Sequence, residues 1–388
     1  MTVGNDGALL GLTVLVANPS PDVYGSDLQM LESISAIVDA GGHVVVALPE
    51  DGALVPMIRQ RGGRIEVVAF PVLRRANQSA RTFLTMAGLA VGAVPRLVRS
   101  IRHSGASLVY VNTITLPWWL LAARLTRTPV VCHLHEAENT DSGLVQRALV
   151  TPLRLAQAVI VISRSAMTAM TEADPSLGRR AHLIYNGVPG PEEIPEPTVR
   201  HNPVRVVVVG RLSPRKAPHL ALEAVARLRE RGYDLQLELA GSAYTGYEWY
   251  VRQLEERATQ PDLAGAVSFA GYRTPIWPTL HEADIVVAPS LREPFGNAVV
   301  EAQLALRPVV ATAALGHLES ITNEETGLLV PVEDVEAMAE AIARLVDEPD
   351  LASDLTTRAR QSALARFSTR RYDQEVVALL ASLLDRAA

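Results

Sequence analysis

The sequence predicts an α/β protein made of two doubly wound parallel-sheet domains. Short runs of valine, isoleucine and leucine alternate with helix-length amphipathic segments along the whole chain, the rhythm of βα units around a parallel sheet. The apolar runs are continuous rather than alternating with polar residues, as strands covered on both faces require. The 388 residues exceed what one hydrophobic core organises and fit two domains of roughly 150 to 200 residues each.

In the first half the strand runs are LTVLVAN, HVVVALP, IEVVAF, LVYVN, PVVCHL, AVIVIS and HLIYN. The stretch 189–203, PGPEEIPEPTVRHNP, then concentrates prolines and acids without periodicity and reads as a linker. A second series follows: VRVVVVG, LQLELAG, VSFAG, DIVVAPS, PVVAT and GLLVP. The expected organisation is a first domain over 1–190, a linker over 191–203 and a second domain over 204–369. The last helix, about 370–388, fits either domain, including a return onto the first. No internal repeat is visible beyond the shared βα rhythm. Ligands of open α/β sheets bind beyond the carboxyl ends of the strands, so the loops that follow the strands are where chemistry is expected.

Composition narrows the class. The chain is 48% apolar and 20% charged, without low-complexity tracts, which excludes a disordered protein. The single cysteine, Cys132, cannot form an internal disulfide and fits a reducing compartment. The N-terminus lacks the positive region of a signal peptide. The longest apolar stretch, LPWWLLAA, ends at Arg124, far short of the ~20 residues that cross a bilayer. The expectation is a cytoplasmic protein. The net charge of −6 is uneven: residues 1–195 hold 16 basic against 15 acidic residues, and the remainder 20 against 27. From Gly52 to His135 there are eleven arginines, among them Arg74, Arg75, Arg81, Arg96, Arg99 and Arg102, against one acid, Glu66. Solvated helix faces are one reading, and a basic face for an anionic membrane surface or lipid phosphate is the other. Nucleic acid is not expected, because no aromatic-plus-basic pattern accompanies the arginines.

Two loops carry the chemistry. In VVGRLSPRKAP, Lys216 is the only lysine among 36 basic residues. Gly210 lets the chain turn sharply off a strand. Arg211 and Lys216 then offer a guanidinium fork and a compact ammonium, which together suit a diphosphate, although a solvated surface pair would look the same. In SLREPFGNAVVEA, Pro294 and Gly296 hold a loop open, and Asn297 reads as the cap of the following helix. Unpaired amides at that helix start can bind an anion or sugar hydroxyls. Glu293 and Glu301 flank the turn and can serve as paired acceptors for vicinal hydroxyls.

These segments resemble a known family. GRLSPRK, EPFGNAVVE and GLLVP followed by a helix resemble the second domain of family-four retaining glycosyltransferases, which have the GT-B fold of two Rossmann-like domains facing a central cleft. PDVYGSD, the HE after PVVCHL, the IS that ends AVIVIS, and YNGV occupy the corresponding places in the first half, so the resemblance covers nearly the whole chain. It implies that Arg211 and Lys216, after Gly210, bind the diphosphate of a nucleotide sugar and stabilise it as it leaves. Glu301 is similar to the glutamate that accepts from the ribose hydroxyls, and Glu293 to the one that contacts the donor sugar. The amides of Phe295, Gly296 and Asn297 would bind sugar hydroxyls or phosphate oxygens, and Tyr272 and Arg273 would lie beside the base. His135 resembles the histidine that reaches the donor sugar from the first domain. His133, two residues away on the same side of a strand end, is a second candidate, but His135 precedes Glu136 as in the family's histidine–acid pair. A metal site of His133, His135 and Glu136 lacks a further ligand set of suitable spacing. Many members carry two glycines after the first strand. Tyr24-Gly25-Ser26-Asp27 retains one, which leaves Gly25, Ser26 and Asp27 as the acceptor or phosphate loop with less room for close backbone approach.

The resemblance implies a retaining, metal-independent hexosyltransferase without a cofactor, moving sugar from a nucleoside diphosphate to a hydroxyl acceptor, in cell-surface polysaccharide or glycolipid synthesis. No carboxylate has a strong claim to be a nucleophile on the sugar's far face, which is compatible with a front-face route completed by domain closure. A basic first domain beside LPWWLLAA suits a lipid-linked acceptor at the inner membrane face. The alternatives are a nucleotide-sugar 2-epimerase, a phosphorylase whose only cofactor lysine would be the badly placed Lys216, and a non-catalytic sugar-nucleotide-binding subunit. A dinucleotide-dependent oxidoreductase is disfavoured, since no strand is followed by GxGxxG with an acid about 20 residues on.

Overall fold

The computed structural model describes residues 7–23, 25–73, 80–136, 143–193, 195, 200–243 and 246–386. Tyr24, Arg74 and Arg75 lie outside the described residues, as does the side chain of Arg81. The chain divides into two compact units, Met1–Gly187 with Thr369–Ala388, and Val188–Ser368.

The first unit is built on a seven-stranded parallel sheet of β1 (Thr13–Ala17), β2 (His43–Leu48), β3 (Arg64–Val67), β4 (Leu108–Val111), β5 (Val130–Leu134), β6 (Ala158–Val161) and β7 (Ala181–Leu183), in the order β3-β2-β1-β4-β5-β6-β7. Register is uninterrupted at the centre, where Leu15 pairs with both Val45 and Val109. Helices cover both faces of these central strands, so their valines and leucines are buried on either side. The order reverses between β1 and β4, which makes the ends of those strands the place for a ligand.

The last helix, Thr369–Asp385, belongs to this unit and packs on the helix Gly25–Asp39. Tyr372 anchors it: the side chain is fully buried and its hydroxyl lies 2.6 Å from Ser33 Oγ. Gly187 marks where the chain passes beneath this helix, since a Cβ there would stand 2.7 Å from Tyr372 Cβ.

The second unit holds six parallel strands, β8 (Val204–Val209), β9 (Leu235–Ala240), β10 (Val267–Phe269), β11 (Ile285–Ala288), β12 (Val309–Thr312) and β13 (Leu328–Val330), in the order β10-β9-β8-β11-β12-β13. Here the reversal falls between β8 and β11. Backbone hydrogen bonds hold the chain to this unit just before the stretch expected to be a linker and near its end. The Val188 amide donates to the Phe367 carbonyl (2.8 Å), and the His201 amide donates to Asp284 Oδ1 (3.1 Å). Composition could not show this, because prolines and acids remove local periodicity without removing long-range backbone partners. Among the described residues no helix is long and apolar enough to cross a membrane.

Candidate active site

The β8/β11 reversal point gathers most of the expected residues of the second unit. Gly210 ends β8 at φ +138°, and Gly241 lies so close beneath it that a Cβ there would meet the Gly210 carbonyl oxygen at 1.8 Å. The loop then closes on itself, with the Lys216 amide donating to the Ser213 carbonyl (3.0 Å), and Pro218 opens the helix Pro218–Glu230. Two bonds fasten this loop to the one after β11: the Leu291 amide donates to the Arg215 carbonyl (2.9 Å), and the Arg215 guanidinium to the Arg292 carbonyl (3.0 Å). The fastening brings Lys216 Nζ onto Glu293 Oε2 as a direct ion pair. Glu293 is only 7% exposed and also accepts from Ser290 Oγ (3.3 Å). Burial alone would raise its carboxyl, but the Lys216 and Arg215 charges and the Lys216 hydrogen bond outweigh it and hold the group at about 2.

The Glu293-Pro294-Phe295-Gly296 turn rests on Gly316. The Gly316 amide donates to the Glu293 carbonyl (2.8 Å), and a Cβ on Gly316 would stand 2.5 Å from Phe295 Cα. Phe295 is buried edge-on against Phe367, with ring centroids 5.3 Å apart. Its side chain is therefore an anchor that holds the turn. Gly296, at φ +98°, is the cap of the helix Asn297–Leu304. The sequence expectation that Asn297 caps it is corrected: a left-handed glycine occupies the cap position, and Asn297 is the first helical residue. Glu301, one turn along, is half-buried, and burial outweighs the pull of Lys216 to push its carboxyl up to about 7.

A pocket forms here, lined by Gly210, Arg211, Lys216, Ser290, Glu293, Gly296, Ala298 and His317 among others. His317 was not expected from sequence. It follows β12 at the same sheet edge, and the pair Gly316-His317, with three residues between it and the run PVVAT, was the available signal. Tyr272 and Arg273 are exposed on the loop after β10 and do not line this pocket.

In the first unit a polar network fills the β1/β4 reversal point. His135 Nε2 lies 3.0 Å from Asn112 Oδ1, Asn112 Nδ2 donates to Asn18 Oδ1 (2.8 Å), and Asn18 Nδ2 donates to Asp27 Oδ1 (2.8 Å). Asn112 Oδ1 can only accept, so the His135 proton sits on Nε2. Burial drives the His135 ring down to about 3, so it is neutral at pH 7. The residues expected as the acceptor or phosphate loop, Gly25, Ser26 and Asp27, form the start of a helix. Gly25 begins the helix Gly25–Asp39, the Ser26 carbonyl accepts from Asn112 (3.3 Å), and Asp27 is buried as an internal acceptor. His133 is fully buried with Nδ1 held 2.6 Å from the Tyr110 hydroxyl, and its ring lies 4.0 Å from that of half-buried His135. The Glu136 carboxylate accepts from Thr113 Oγ1 (3.0 Å) and from the His135 amide (3.1 Å). Among the described residues no three His, Cys, Asp or Glu side chains assemble as metal ligands.

Residues 25–189 match the family model described as Glycosyltransferase Family 4, and residues 191–362 match that described as Glycosyl transferases group 1. The chain belongs to glycosyltransferase family 4. This family-four chain is 30% identical over 270 residues to the glycogen synthase of Mycobacterium tuberculosis, an alignment spanning 64% of this chain and 63% of that one. It is 35% identical over 180 residues to the D-inositol 3-phosphate glycosyltransferase of Corynebacterium urealyticum, spanning 45% and 42%. The chain thus spans less than two thirds of the length of these curated relatives. Among solved structures, Anabaena Alr3699/HepE in complex with UDP-glucose superposes with a TM-score of 0.80 at 25% identity, over 96% of this chain and 100% of that one. The sucrose-phosphate synthase of Thermosynechococcus elongatus superposes at 0.78 with 21% identity, over 97% and 100%, and shares the fold.

Proposed function

We propose that this family-four chain is a hexosyltransferase that moves a sugar from a nucleoside diphosphate to a hydroxyl acceptor, with retention at the anomeric carbon and without a metal ion. The observation that carries the reading is the β8/β11 pocket, where Arg211, Lys216 and a buried, ionised Glu293 are held by two fastened loops. Departure of a nucleoside diphosphate develops negative charge on phosphate oxygens. Fixed cations stabilise that charge more in the transition state than in the ground state. Arg211 and Lys216 are those cations in this reading. Glu293 accepts from a hydroxyl of the transferred sugar, and Glu301 from the ribose. In the front-face route the acceptor oxygen bonds to the anomeric carbon as the bond from that carbon to phosphate breaks, and the acceptor's proton passes to the departing diphosphate. His135, neutral and oriented by Asn112, is proposed as a hydrogen-bond partner of a donor hydroxyl. A 2-epimerase would consume the same donor without an acceptor.

UDP-glucose is the first probe, because the HepE structure was solved with it. A donor at about 100 times its Kd adds about 2.7 kcal/mol of stability by mass action and raises the melting temperature by several degrees. No stabilisation by any UDP-, GDP-, ADP- or dTDP-sugar would remove the reading. Turnover stopped by EDTA, or product of inverted anomeric configuration by NMR, would remove its metal-free or retaining part.

One observation favours a membrane-borne acceptor. The helices Ala80–Ser104 and Pro117–Thr126 pack together and contain no acidic residue. They expose Arg96, Arg99, Arg102 and Arg124, with Leu121 and Leu125 exposed on the second helix. Exposed arginines and leucines suit an anionic bilayer surface, each cation contributing about 1 kcal/mol close to it. The chain is expected to sediment with phosphatidylglycerol vesicles at low salt and to be released at high salt. Failure to sediment at low salt would refute this part of the reading.

A further inference from the structure

His317 is a buried imidazole in the pocket that none of the roles above uses. Its Nδ1 lies 2.9 Å from the Thr312 carbonyl oxygen. A backbone carbonyl only accepts, so the proton of the ring sits on Nδ1 and Nε2 carries a bare lone pair. Burial lowers the tendency of the ring to take a second proton. The ring is positioned as firmly as the turn above it: Gly316 supports Phe295, and His317 opens the short helix that follows.

The edge that bears Nε2 faces Gly296. A Cβ built on Gly296 would stand 2.9 Å from His317 Cδ2, 3.3 Å from Nε2 and 3.5 Å from Glu293 Cγ. The space left by the missing side chain is therefore bordered by two acceptors, the Glu293 carboxylate and the His317 lone pair. Such a pair suits a group that brings protons and repels one that does not. A sugar offers hydroxyl donors, whereas a diphosphate at neutral pH offers only acceptor oxygens. Acceptors on one side of the pocket and the cations Arg211 and Lys216 on the other impose one orientation on a nucleotide sugar.

Resting on the function proposed above, we propose that His317 reads the transferred sugar, its Nε2 accepting a hydrogen bond from a sugar hydroxyl placed against Gly296 and Glu293. It is a specificity-determining residue, distinct from the cations that hold the diphosphate.

The test compares UDP with UDP-glucose on the full chain. His317→Leu removes the acceptor and retains an apolar side chain. It is expected to bind UDP within about twofold of the parent and UDP-glucose about tenfold more weakly, with kcat for transfer lowered as well. His317→Gln returns an acceptor atom and is expected to recover part of the loss, and it serves in place of the leucine variant should that one melt below the assay temperature. UDP-glucose affinity and turnover equal to the parent's in both variants would overturn the proposal. So would an equal loss of UDP and UDP-glucose binding, which would mark His317 as a support of the loop alone. A parent chain that binds no UDP would instead remove the nucleotide-sugar reading of the pocket, and this proposal with it.

Discussion

Lys216→Ala is expected to lower transfer about 10²- to 10³-fold, the usual cost of removing one fixed charge partner of a developing anion. It is also expected to destabilise the fold by about 3–5 kcal/mol, because Glu293 is left as an uncompensated buried carboxylate. The two effects separate by pH and by a second substitution. In the parent, the Glu293 carboxyl is held at about 2, below the ordinary 4.5. Its contribution to stability is therefore complete above about 4.5 and fades as pH falls towards 2. Without Lys216 the burial that raises this carboxyl is opposed by Arg215 without the direct ion pair, so the carboxyl moves upward and the sign reverses. The variant should be closest to the parent in melting temperature near pH 5, and the deficit should widen towards pH 8. Adding Glu293→Gln removes the stranded charge and should restore much of the stability, since deleting both members of a buried pair costs less than deleting one. Activity should not return, because the cation is still missing. A single variant with parental turnover, or a double variant with restored turnover, would exclude Lys216 from leaving-group stabilisation.

Most of the strands were legible because a strand buried on both faces writes itself as a continuous apolar run, a signal that needs no partner to be read. The Glu293–Glu301 turn was legible for a related reason: its parts lie within eight residues of one another, so proline, glycine and glutamate spacing describes it locally. The Lys216–Glu293 pair was not. The two residues are 77 apart in sequence, and only the reversal that sets β11 beside β8 brings their loops together, so each was assigned to a different part of a substrate. His317 was hidden for the same reason, being carried to the pocket by β12. Asp27 misled in the opposite direction. It was assigned to an acceptor or phosphate loop, yet Asn18 and Asn112 at the ends of β1 and β4 draw it into a buried chain of hydrogen bonds. The final helix could be assigned to a unit only through Tyr372, whose buried hydroxyl needs Ser33, 339 residues earlier.

Glu301→Ala is expected to weaken nucleotide-sugar binding roughly 10- to 100-fold, the equivalent of one or two hydrogen bonds to a charged group at about 1.5–3 kcal/mol in all. Sugar-free UDP should lose the same factor, because the ribose is common to both; a loss confined to UDP-glucose would move Glu301 from the ribose to the transferred sugar. The carboxyl, pushed up to about 7 by burial, is partly protonated at neutral pH in the free protein. A folded value above the ordinary 4.5 means that its contribution to stability is complete below about 4.5 and is lost as pH rises to about 7. The parent therefore holds Glu301 ionised above pH 7 at a cost in stability. Glu301→Gln removes that cost, and it should melt higher than the parent at pH 8 while differing little at pH 5. Binding is linked to the same proton. If ribose hydroxyls donate to the ionised form, UDP affinity of the parent should rise as pH increases through 7 and then level off, and the glutamine variant should lack this rise. A higher melting temperature with weaker UDP binding in one variant is the signature of a group retained for ligand rather than for the fold. Parental UDP affinity in Glu301→Ala, with no change in its pH profile, would end the ribose assignment.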